Sequence, residues 1–431
     1  MEVCRNRNED IETEHIKNRT GRTAGAIPAG PVSLYVHFPF CVQKCRYCDF
    51  LSGPADQKIR ARYLRALERE IQLSGRYYGH PSVDTVFFGG GTSSLMSGEE
   101  LEELMDAVRE SFAILPGAEI SMECNPGTAD RKKLADYRRA GINRLSVGVQ
   151  SFRDEELLLL GRIHTAEEAK DCIGSAREAG FSNLSLDLMS ALPGQTMEGW
   201  MESLRTAAEL SSEHISAYSL ILEDGTPLKE AAERGELPPF PSEDLDRAMY
   251  HETERFLAQY GYHRYEISNY AKEGFESRHN SGYWTGHPYL GFGTGAASYL
   301  GNRRWSNARS LAEYLTVLEA DPDSVVSMEA AADKRTQESE DVLTALQEEK
   351  ELLSVRDQMA EFMFLGLRRM AGVSEETFRQ RFHCTMDEIY GPVIRRYQDL
   401  QLLERENGRL FLTRAGIDVS NTVMADFLLD P

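Results

Sequence analysis

Three cysteines within eight residues are the side chains of this sequence best suited to chemistry. Cys41, Cys45 and Cys48 form a C-x3-C-x2-C pattern inside the stretch SLYVHFPFCVQKCRYCDF. Thiolates this close together can bind one soft metal ion or one iron–sulfur cluster. A short apolar run, 33–38, precedes them and predicts a buried strand that Pro39 ends. The sequence therefore predicts a metal centre on the loop after this strand.

Two kinds of metal centre fit three clustered thiols. A structural zinc site usually needs four protein ligands, supplied by a second pair of cysteines or histidines. The chain has no such pair, because its other cysteines are scattered singly at Cys4, Cys124, Cys172 and Cys384. A cubane [4Fe-4S] cluster can be held by three thiolates, which leaves its fourth iron open. The pattern favours the cluster, and a zinc-stabilised adaptor protein remains an alternative.

Composition limits the class of protein. With 431 residues, 41% of them hydrophobic, the chain can form a large domain and a smaller one. A formal charge of -21 argues against a general nucleic-acid binder. No apolar run is long enough to span a membrane, and the polar N-terminus predicts no secretory signal. Clustered thiols without a disulfide framework indicate the reducing cytoplasm.

Strand-like and helix-like stretches alternate through the first half of the chain. Six β/α units are predicted, with strands over 33–38, 83–88, 119–124, 144–149, 184–189 and 215–222. This alternation is typical of an α/β fold with a parallel sheet. Polar groups fall at or near the carboxyl ends of five of these strands: the cysteine loop, Gly89-Gly90-Gly91-Thr92, Glu123, Gln150 and Asp187. Functional groups of parallel sheets gather at that edge, so we expect one site there.

Taken together, these motifs resemble a known family, the HemN-type branch of the radical SAM superfamily. The resemblance covers the chain from about residue 33 to its C-terminus. It implies a partial (β/α)6 barrel, a [4Fe-4S] cluster on the three cysteines and S-adenosyl-L-methionine (SAM) at the open iron. It also implies a set of SAM contacts: Tyr35, Tyr47, Gly90, Gly91, Thr92, Glu123, Gln150, Arg162, Asp187 and Ile221.

The chemistry of these side chains agrees with that implication, and each also has a structural interpretation. Glu123 suits the α-ammonium of an amino acid, or it caps a turn before Pro126. Arg162 suits a carboxylate, or it is a solvated helix charge. Asp187 is the most informative, because a buried carboxylate is costly without a partner, and a pair of ribose hydroxyls would provide one.

The second residue after Cys48 separates two branches of this family. Oxygen-independent coproporphyrinogen dehydrogenases have a further cysteine there, whereas this chain has Phe50. Cys48-Asp49-Phe50 resembles the HemW-type heme chaperones. That resemblance implies a protein that binds heme and transfers it to apo-hemoproteins such as respiratory enzymes. The alternative is an oxygen-independent coproporphyrinogen III dehydrogenase, in which a 5′-deoxyadenosyl radical abstracts hydrogen from a porphyrinogen propionate and the product decarboxylates.

An H-N-x-x-Y-W string further along supports the chaperone branch. It contains His279, Asn280, Tyr283 and Trp284. Histidine is the commonest axial ligand of heme iron, and flat aromatic side chains can line a porphyrin. Aromatic loops rich in glycine also often pack against a barrel without any ligand. The resemblance implies a heme-binding role for these four residues.

Five segments follow from these patterns. We predict a mobile N-terminal tail over 1–30 and a radical SAM core over 31–275. A barrel-capping region with the H-N-x-x-Y-W string covers 276–319, and an acidic linker or insertion covers 320–352. The last segment, 353–431, predicts an α-rich, winged-helix-like domain of the HemN type. That domain is not a basic stripe, so DNA binding is not favoured. The oligomeric state stays open, a homodimer included.

Overall fold

A parallel sheet wrapped by helices forms the larger part of the molecule. The computed structural model describes residues 30–320 and 331–429, so the predicted tail, Cys4 and 321–330 lie outside the described residues, apart from Gly30. Six strands alternate with helices: β1 Val32–Phe38, α1 Gln57–Tyr78, β2 Ser82–Gly90, α2 Gly98–Ser111, β3 Ala113–Cys124, α3 Arg131–Ala140, β4 Arg144–Gln150, α4 Asp154–Leu160, α5 Ala166–Glu178, β5 Leu184–Ser190, α6 Met197–Glu209 and β6 His214–Ser219.

A second series of elements extends this sheet at both ends. It comprises α7 Pro227–Glu233, α8 Glu243–Ala258, β7 His263–Glu266, β8 Asn269–Ala271, α9 Arg278–Thr285, β9 Tyr289–Phe292, β10 Ala297–Leu300, β11 Arg303–Asn307, α10 Leu311–Glu319, α11 Ala331–Leu346 and β12 Gln347–Leu352. The strand order is β12-β11-β10-β9-β1-β2-β3-β4-β5-β6-β8-β7. Strands β1 to β6 are parallel to one another, and β9 adds a seventh parallel strand beside β1. The predicted partial (β/α)6 barrel is confirmed.

Side-chain alternation decides what faces the barrel interior. On β1, Leu34, Val36 and Phe38 join the hydrophobic core of the larger domain. Tyr35 and His37 point to the opposite face, because successive strand side chains alternate. The same alternation on β3 to β6 sends aliphatic side chains to the helices and polar ones inward. The interior of the barrel is therefore lined with groups that can hydrogen-bond.

Helix α2 begins with a capping box. Ser97 accepts a hydrogen bond from the Glu100 amide, and the Glu100 carboxylate accepts one from the Ser97 amide. This capping box satisfies two amides that the helix leaves without partners. It fixes the direction in which the chain leaves the glycine turn after β2.

The C-terminal domain has its own core and is mostly helical. It contains α12 Val355–Gly366, β13 Val373–Ser374, α13 Glu375–Phe382, α14 Met386–Asp399, β14 Leu403–Glu406, β15 Arg409–Leu412, α15 Arg414–Asp418 and α16 Ser420–Ala425. Its strands form a separate sheet, β13-β15-β14, which is the expected small wing. The sequence predicts one terminal helix over 415–428, but the chain breaks into α15 and α16 at Val419, whose ψ of 26° is not helical.

The acidic segment 320–352 differs from its prediction as a linker. Its described part, 331–352, forms α11 and then β12, an edge strand that pairs antiparallel with β11. Leu343 and Leu346 join the larger core, which anchors this part to the barrel. Over 336–352, the acidic residues Asp341, Glu349 and Glu351 are exposed, so charge here marks the solvent-facing side of packed elements. In the parts of the chain that the structure describes, no helix is both long and apolar enough to cross a bilayer.

Candidate functional site

A cavity of about 440 Å³ opens at the carboxyl ends of the parallel strands. It brings together residues from the loop after β1 and from the ends of β2 to β6. Most of the predicted site residues line it: Cys41, Cys45, Cys48, Tyr47, Gly90, Gly91, Thr92, Glu123, Gln150, Arg162, Asp187 and Ile221. The sequence motifs thus converge on one edge of the sheet.

Backbone hydrogen bonds hold the cysteine loop in place. Cys41 donates its amide to the Gly53 carbonyl at 3.1 Å, and Gly53 donates to Pro39 at 2.9 Å. The Arg46 amide donates to the Leu160 carbonyl at 3.0 Å, which ties the loop to α4. The loop is therefore pinned at both its base and its tip, and the thiols project into the cavity from a fixed frame.

The three thiols are free and share a partly buried environment. Burial raises the pKa of the Cys41 and Cys48 thiols, because the surroundings disfavour a thiolate. A cluster iron would reverse this effect, since metal binding deprotonates a thiol. Among the described residues, no group of three His, Cys, Asp or Glu side chains is arranged to hold a single metal ion.

Two glycines let the cysteine loop lie against the end of β2. A Cβ at Gly90 would stand 2.7 Å from the Phe38 carbonyl oxygen, and one at Gly91 would stand 2.7 Å from that of Phe40. Gly90 also has a φ of +121°, which L side chains rarely adopt. Any other residue here would push the loop off the strand. The glycine turn is required by this close approach.

Glu123 is a buried carboxyl group at the cavity with a single hydrogen bond. Its Oε2 accepts one hydrogen bond, from the Gly90 amide at 3.1 Å. Burial and, to a lesser extent, the nearby Asp187 carboxylate together raise the pKa of Glu123 to about 8. A cation placed in the cavity would favour the ionised carboxylate. This carboxylate suits the positively charged amino-acid end of SAM.

Asp187 on β5 is held by serine hydroxyls. Ser146 Oγ lies 3.0 Å from Oδ2 and 3.2 Å from Oδ1, and Ser185 Oγ lies 3.5 Å from Oδ1. Burial raises the pKa of this carboxyl group, partly offset by hydrogen bonds that include those from Ser216 and Ser146. The group is oriented by its neighbours while facing the cavity, as a hydroxyl-binding carboxylate must be.

The end of β4 is strained. Gln150 has a φ of +67°, which non-glycine residues seldom adopt, and its side chain accepts a hydrogen bond from Tyr218 at 3.1 Å. A strained backbone conformation of this kind is kept only where the surrounding packing and hydrogen bonds hold it in place, which is common at functional sites. The bend turns the chain at the mouth of the barrel and places Gln150 on the cavity wall.

Arg162 links the cysteine loop to the barrel. Its Nη2 donates to Asn125 Oδ1 at 2.9 Å and to the Gly148 carbonyl at 2.6 Å. Its Nη1 lies 3.7 Å from Cys45 Sγ. Tyr35, in contrast, is not among the cavity-lining residues of the described chain, because its hydroxyl lies deeper, 2.9 Å from His37 Nδ1.

The cavity contains functional candidates that the sequence interpretation did not single out. Asn125 donates to Thr92 Oγ1 at 3.0 Å and accepts from Arg162, so it joins three walls of the site. Tyr218 and Ser146 orient Gln150 and Asp187. For Asn125 and Tyr218, a position at a strand end was the available signal. Cys124 also lines the cavity, with its Sγ 3.9 Å from that of Cys172.

The H-N-x-x-Y-W string lies at the opposite end of the barrel. It forms α9, and the Glu119 carboxylate accepts hydrogen bonds from the Arg278 amide at 3.1 Å and the His279 amide at 3.0 Å. His279 is 1% exposed. The His279 ring contacts Thr85 on β2. Thr85 comes five residues before Gly90, which ends β2 at the mouth, so the two ends are separated by roughly 16 Å along the strand. The helix therefore closes the amino-terminal base of the barrel.

Both ring nitrogens of His279 are engaged at this base. Nδ1 lies 2.7 Å from Thr85 Oγ1, and Nε2 lies 2.9 Å from the Tyr283 hydroxyl. Burial lowers the pKa of His279 to about 3, so the ring is neutral, with one nitrogen donating and the other accepting. Phe87 stacks on it, with ring centroids 5.0 Å apart. Direct ligation of iron by His279 requires the ring to leave these contacts.

The other two residues of the string are more open. Asn280 and Trp284 are half-buried, and Trp284 lies against the C-terminal domain. Arg368 is placed 4.5 Å from the centroid of the Trp284 ring. Tyr283 is half-buried as well, so His279 is the one fully buried residue of the string.

Two family models match the chain. Residues 35–207 match the radical SAM superfamily, and residues 353–419 match the HemN C-terminal domain. A solved structure, the coproporphyrinogen III oxidase HemN of Escherichia coli, described as a radical SAM enzyme, aligns with a TM-score of 0.77. It covers 95% of this chain and 91% of its own at 24% identity, which shows the shared fold.

Curated relatives define the family more closely. The heme chaperone HemW of Bacillus subtilis (strain 168) is 36% identical over 404 residues, covering 92% of this chain and 99% of the relative. That of Lactococcus lactis subsp. lactis (strain IL1403) is 36% identical over 400 residues, covering 93% and 98%. That of Escherichia coli (strain K12) is 41% identical over 268 residues, covering 62% and 69%. The chain therefore belongs to the HemW family of the radical SAM superfamily.

Proposed function

We propose that this chain binds heme and transfers it to apo-hemoproteins, and that it holds a [4Fe-4S] cluster and SAM at the mouth of its barrel. Relatives named heme chaperones match nearly its whole length. The observation that carries the proposal is Phe50, a phenyl ring on the wall of the cavity that contains the three thiols. In this proposal the cofactor site is kept, and Phe50 stands where the dehydrogenase pattern has its extra thiol.

The cofactors have candidate ligands throughout the cavity. The three thiols would hold the cluster, whose open iron coordinates the amino-acid end of SAM when both are bound. Glu123 would neutralise the α-ammonium, and Arg162 would hold the carboxylate. Asp187, already oriented by serine hydroxyls, would accept hydrogen bonds from the ribose.

Phe50 argues against the dehydrogenase alternative. A phenyl ring cannot donate a proton, ligate iron or carry a sulfur radical, so any step that needs a thiol at this place is unavailable. The next cysteine along the chain is Cys124, which is buried against Cys172. Chaperone function needs no such thiol, because transfer of heme makes and breaks coordination bonds and leaves the porphyrin carbon skeleton unchanged.

The cargo site that we propose involves the H-N-x-x-Y-W string. His279 and Tyr283 form an inner pair that bond each other inside the base, and Asn280 and Trp284 form an outer pair that is half-buried, as Tyr283 is. The inner pair would fix the helix that presents the outer pair, and His279 would ligate iron only after leaving Thr85. We propose the cytoplasm as the place of action and respiratory hemoproteins as recipients. The free thiols suit a reducing compartment.

The test is hemin binding and release by the full chain, reconstituted with iron and sulfide under argon. We expect a Soret shift on adding hemin and loss of the shifted spectrum when an apo-hemoprotein is added. His279→Ala combined with Tyr283→Ala should diminish the shift. Absence of hemin binding would contradict the chaperone function. A colourless protein that binds zinc instead of iron and sulfide would support the adaptor alternative.

A further inference from the structure

A cleft of about 210 Å³ separates the motif helix α9 from the C-terminal domain. Trp284 forms its barrel side, and Phe362 and Leu365 of α12 form the opposite side. Three arginines of the C-terminal domain complete the lining: Arg369, Arg381 and Arg409. We call this place the arginine cleft. It lies outside the cluster cavity and shares no lining residue with it.

The arginine cleft has a local excess of positive charge. Within 30–320 and 331–429, none of its three arginines forms an ion pair with a carboxylate, whereas Arg379 on the same helix as Arg381 pairs with Glu376. The one acidic residue of the lining, Glu361, is engaged by Arg304 through two contacts of 2.7 and 3.0 Å. In a chain of formal charge -21, acidic partners are plentiful, so this grouping is unlike the surface around it.

The guanidinium groups of Arg381 and Arg409 are held on the cleft wall by neutral partners. Arg409 donates to the Ala371 carbonyl at 2.5 Å and to the Gly372 carbonyl at 2.9 Å. Arg381 donates to the Tyr299 hydroxyl at 3.3 Å. Burial lowers the pKa of Arg369, and the neighbouring Arg409 charge lowers it further. An anion in the cleft would relieve this repulsion.

The apolar surface beside the arginines indicates which class of anion the arginine cleft would bind. A second, more open cleft of about 400 Å³ is lined mainly by apolar side chains, including Phe364, Met424 and Leu428. The two clefts meet at Trp284 and Leu365, which line both. A ligand that spans them needs a flat apolar body and acidic groups along one edge. A phosphate or a short acidic peptide would use only the first cleft.

We infer that the arginine cleft binds the propionate groups of heme, while the macrocycle lies beside Trp284 and Leu365, toward the apolar cleft. This inference rests on the proposed function and assigns a place to its cargo. The arginine cleft is smaller than the ~300–1,000 Å³ sites that enclose a drug-sized ligand, so it would take the acidic edge of the ring alone. Guanidinium groups suit this task because they bind carboxylates through two parallel hydrogen bonds.

The experiment compares hemin with its dimethyl ester, in which the propionate charges are removed. Binding is measured by Soret titration on the full chain with its cluster in place. Arg381→Gln combined with Arg409→Gln should raise the Kd for hemin at least tenfold and leave the Kd for the ester unchanged. Arg381→Gln alone should cause part of this loss without touching the backbone contacts of Arg409. Arg379→Gln, on the same helix as Arg381 and outside the cleft, is the matched control.

The outcomes separate the inference from the function. If the unaltered chain binds hemin and the double variant binds it equally well, the arginine cleft is not the propionate site, and the chaperone function stands. Equal affinity of the unaltered chain for hemin and for the ester would overturn the inference in the same way. If the unaltered chain binds neither porphyrin, the proposed function itself fails. Unchanged cluster absorption and melting temperature in the variants would confirm that they fold.

Discussion

The two ends of the barrel use similar residue types for opposite purposes. At the carboxyl-terminal mouth, the Glu123 carboxylate has a single hydrogen bond and an elevated pKa of about 8. At the amino-terminal base, the Glu119 carboxylate accepts two helix amides, and His279 is bonded through both nitrogens. Because unsatisfied buried groups are costly, a protein retains them where a ligand completes them. The mouth is built to receive a ligand, and the base is built to hold a helix.

The largest effect should come from the thiols of the mouth. Replacing Cys41, Cys45 or Cys48 by alanine should abolish the visible iron–thiolate absorption of the reconstituted protein, because each of the three thiolates would be the sole protein ligand of one iron. Cys124→Ala is the sharpest control, since this thiol lines the same cavity and contacts Cys172. Loss of the cluster in that control would mean that the ligand set is wrong.

At the base, Glu119→Ala should destabilise the fold without affecting the cluster. The change leaves the first amides of α9 without their carboxylate acceptor, at a cost of about 3 kcal/mol in the free energy of unfolding. Urea denaturation measures this loss, and Glu103→Ala on the exposed side of α2 is the control. A variant as stable as the unaltered chain would remove Glu119 as the anchor of the motif helix.

Asp187→Ala tests the mouth as a ligand site rather than a metal site. Loss of one charged acceptor should weaken SAM binding by about 1–3 kcal/mol while the iron content stays the same. Calorimetry on the reconstituted protein gives the affinity, and Asp171→Ala, exposed on α5, is the control. Unchanged SAM affinity would exclude Asp187 from the binding site.

The smallest effect is a pH dependence of the folding stability, which comes from His279 at the amino-terminal end of the barrel. The pKa of His279 is about 3 in the folded chain, and about 6.5 is usual for an unfolded one. The unfolded state therefore binds more protons between these values, so stability falls as the pH decreases through this window. From pH 7 to pH 5.5 the contribution of His279 should fall by about 1 kcal/mol. His279→Gln should lose this part of the dependence, and equal pH profiles for both proteins would contradict it.

Local patterns predicted much of the fold and of the mouth. Strands β1 to β6 and their helices follow from side-chain periodicity, which depends on neighbouring residues only. The site at the mouth followed because polar groups sit at successive strand ends. The predicted family and fold are confirmed, and the roles of the individual site residues stay predictions.

The features that the sequence did not predict depend on pairing between strands that are far apart in the chain. Ser33 of β1 pairs with Tyr289 of β9, far along the chain, and no local pattern encodes such a register. The same holds for β12, whose pairing with β11 turns part of a predicted linker into a sheet edge. The burial of His279 was also hidden, because its partners Thr85 and Glu119 come from distant strands.

The most direct test of the central claim is an anaerobic assay of the reconstituted chain with SAM, reductant and coproporphyrinogen III. The claim is that the mouth keeps its cofactors while Phe50 removes the thiol that porphyrinogen oxidation would need. The account predicts no protoporphyrinogen from a preparation that still takes up hemin. Formation of protoporphyrinogen at ordinary enzyme rates, on the order of 1 per second or even a hundredfold below, would contradict it and establish the dehydrogenase function.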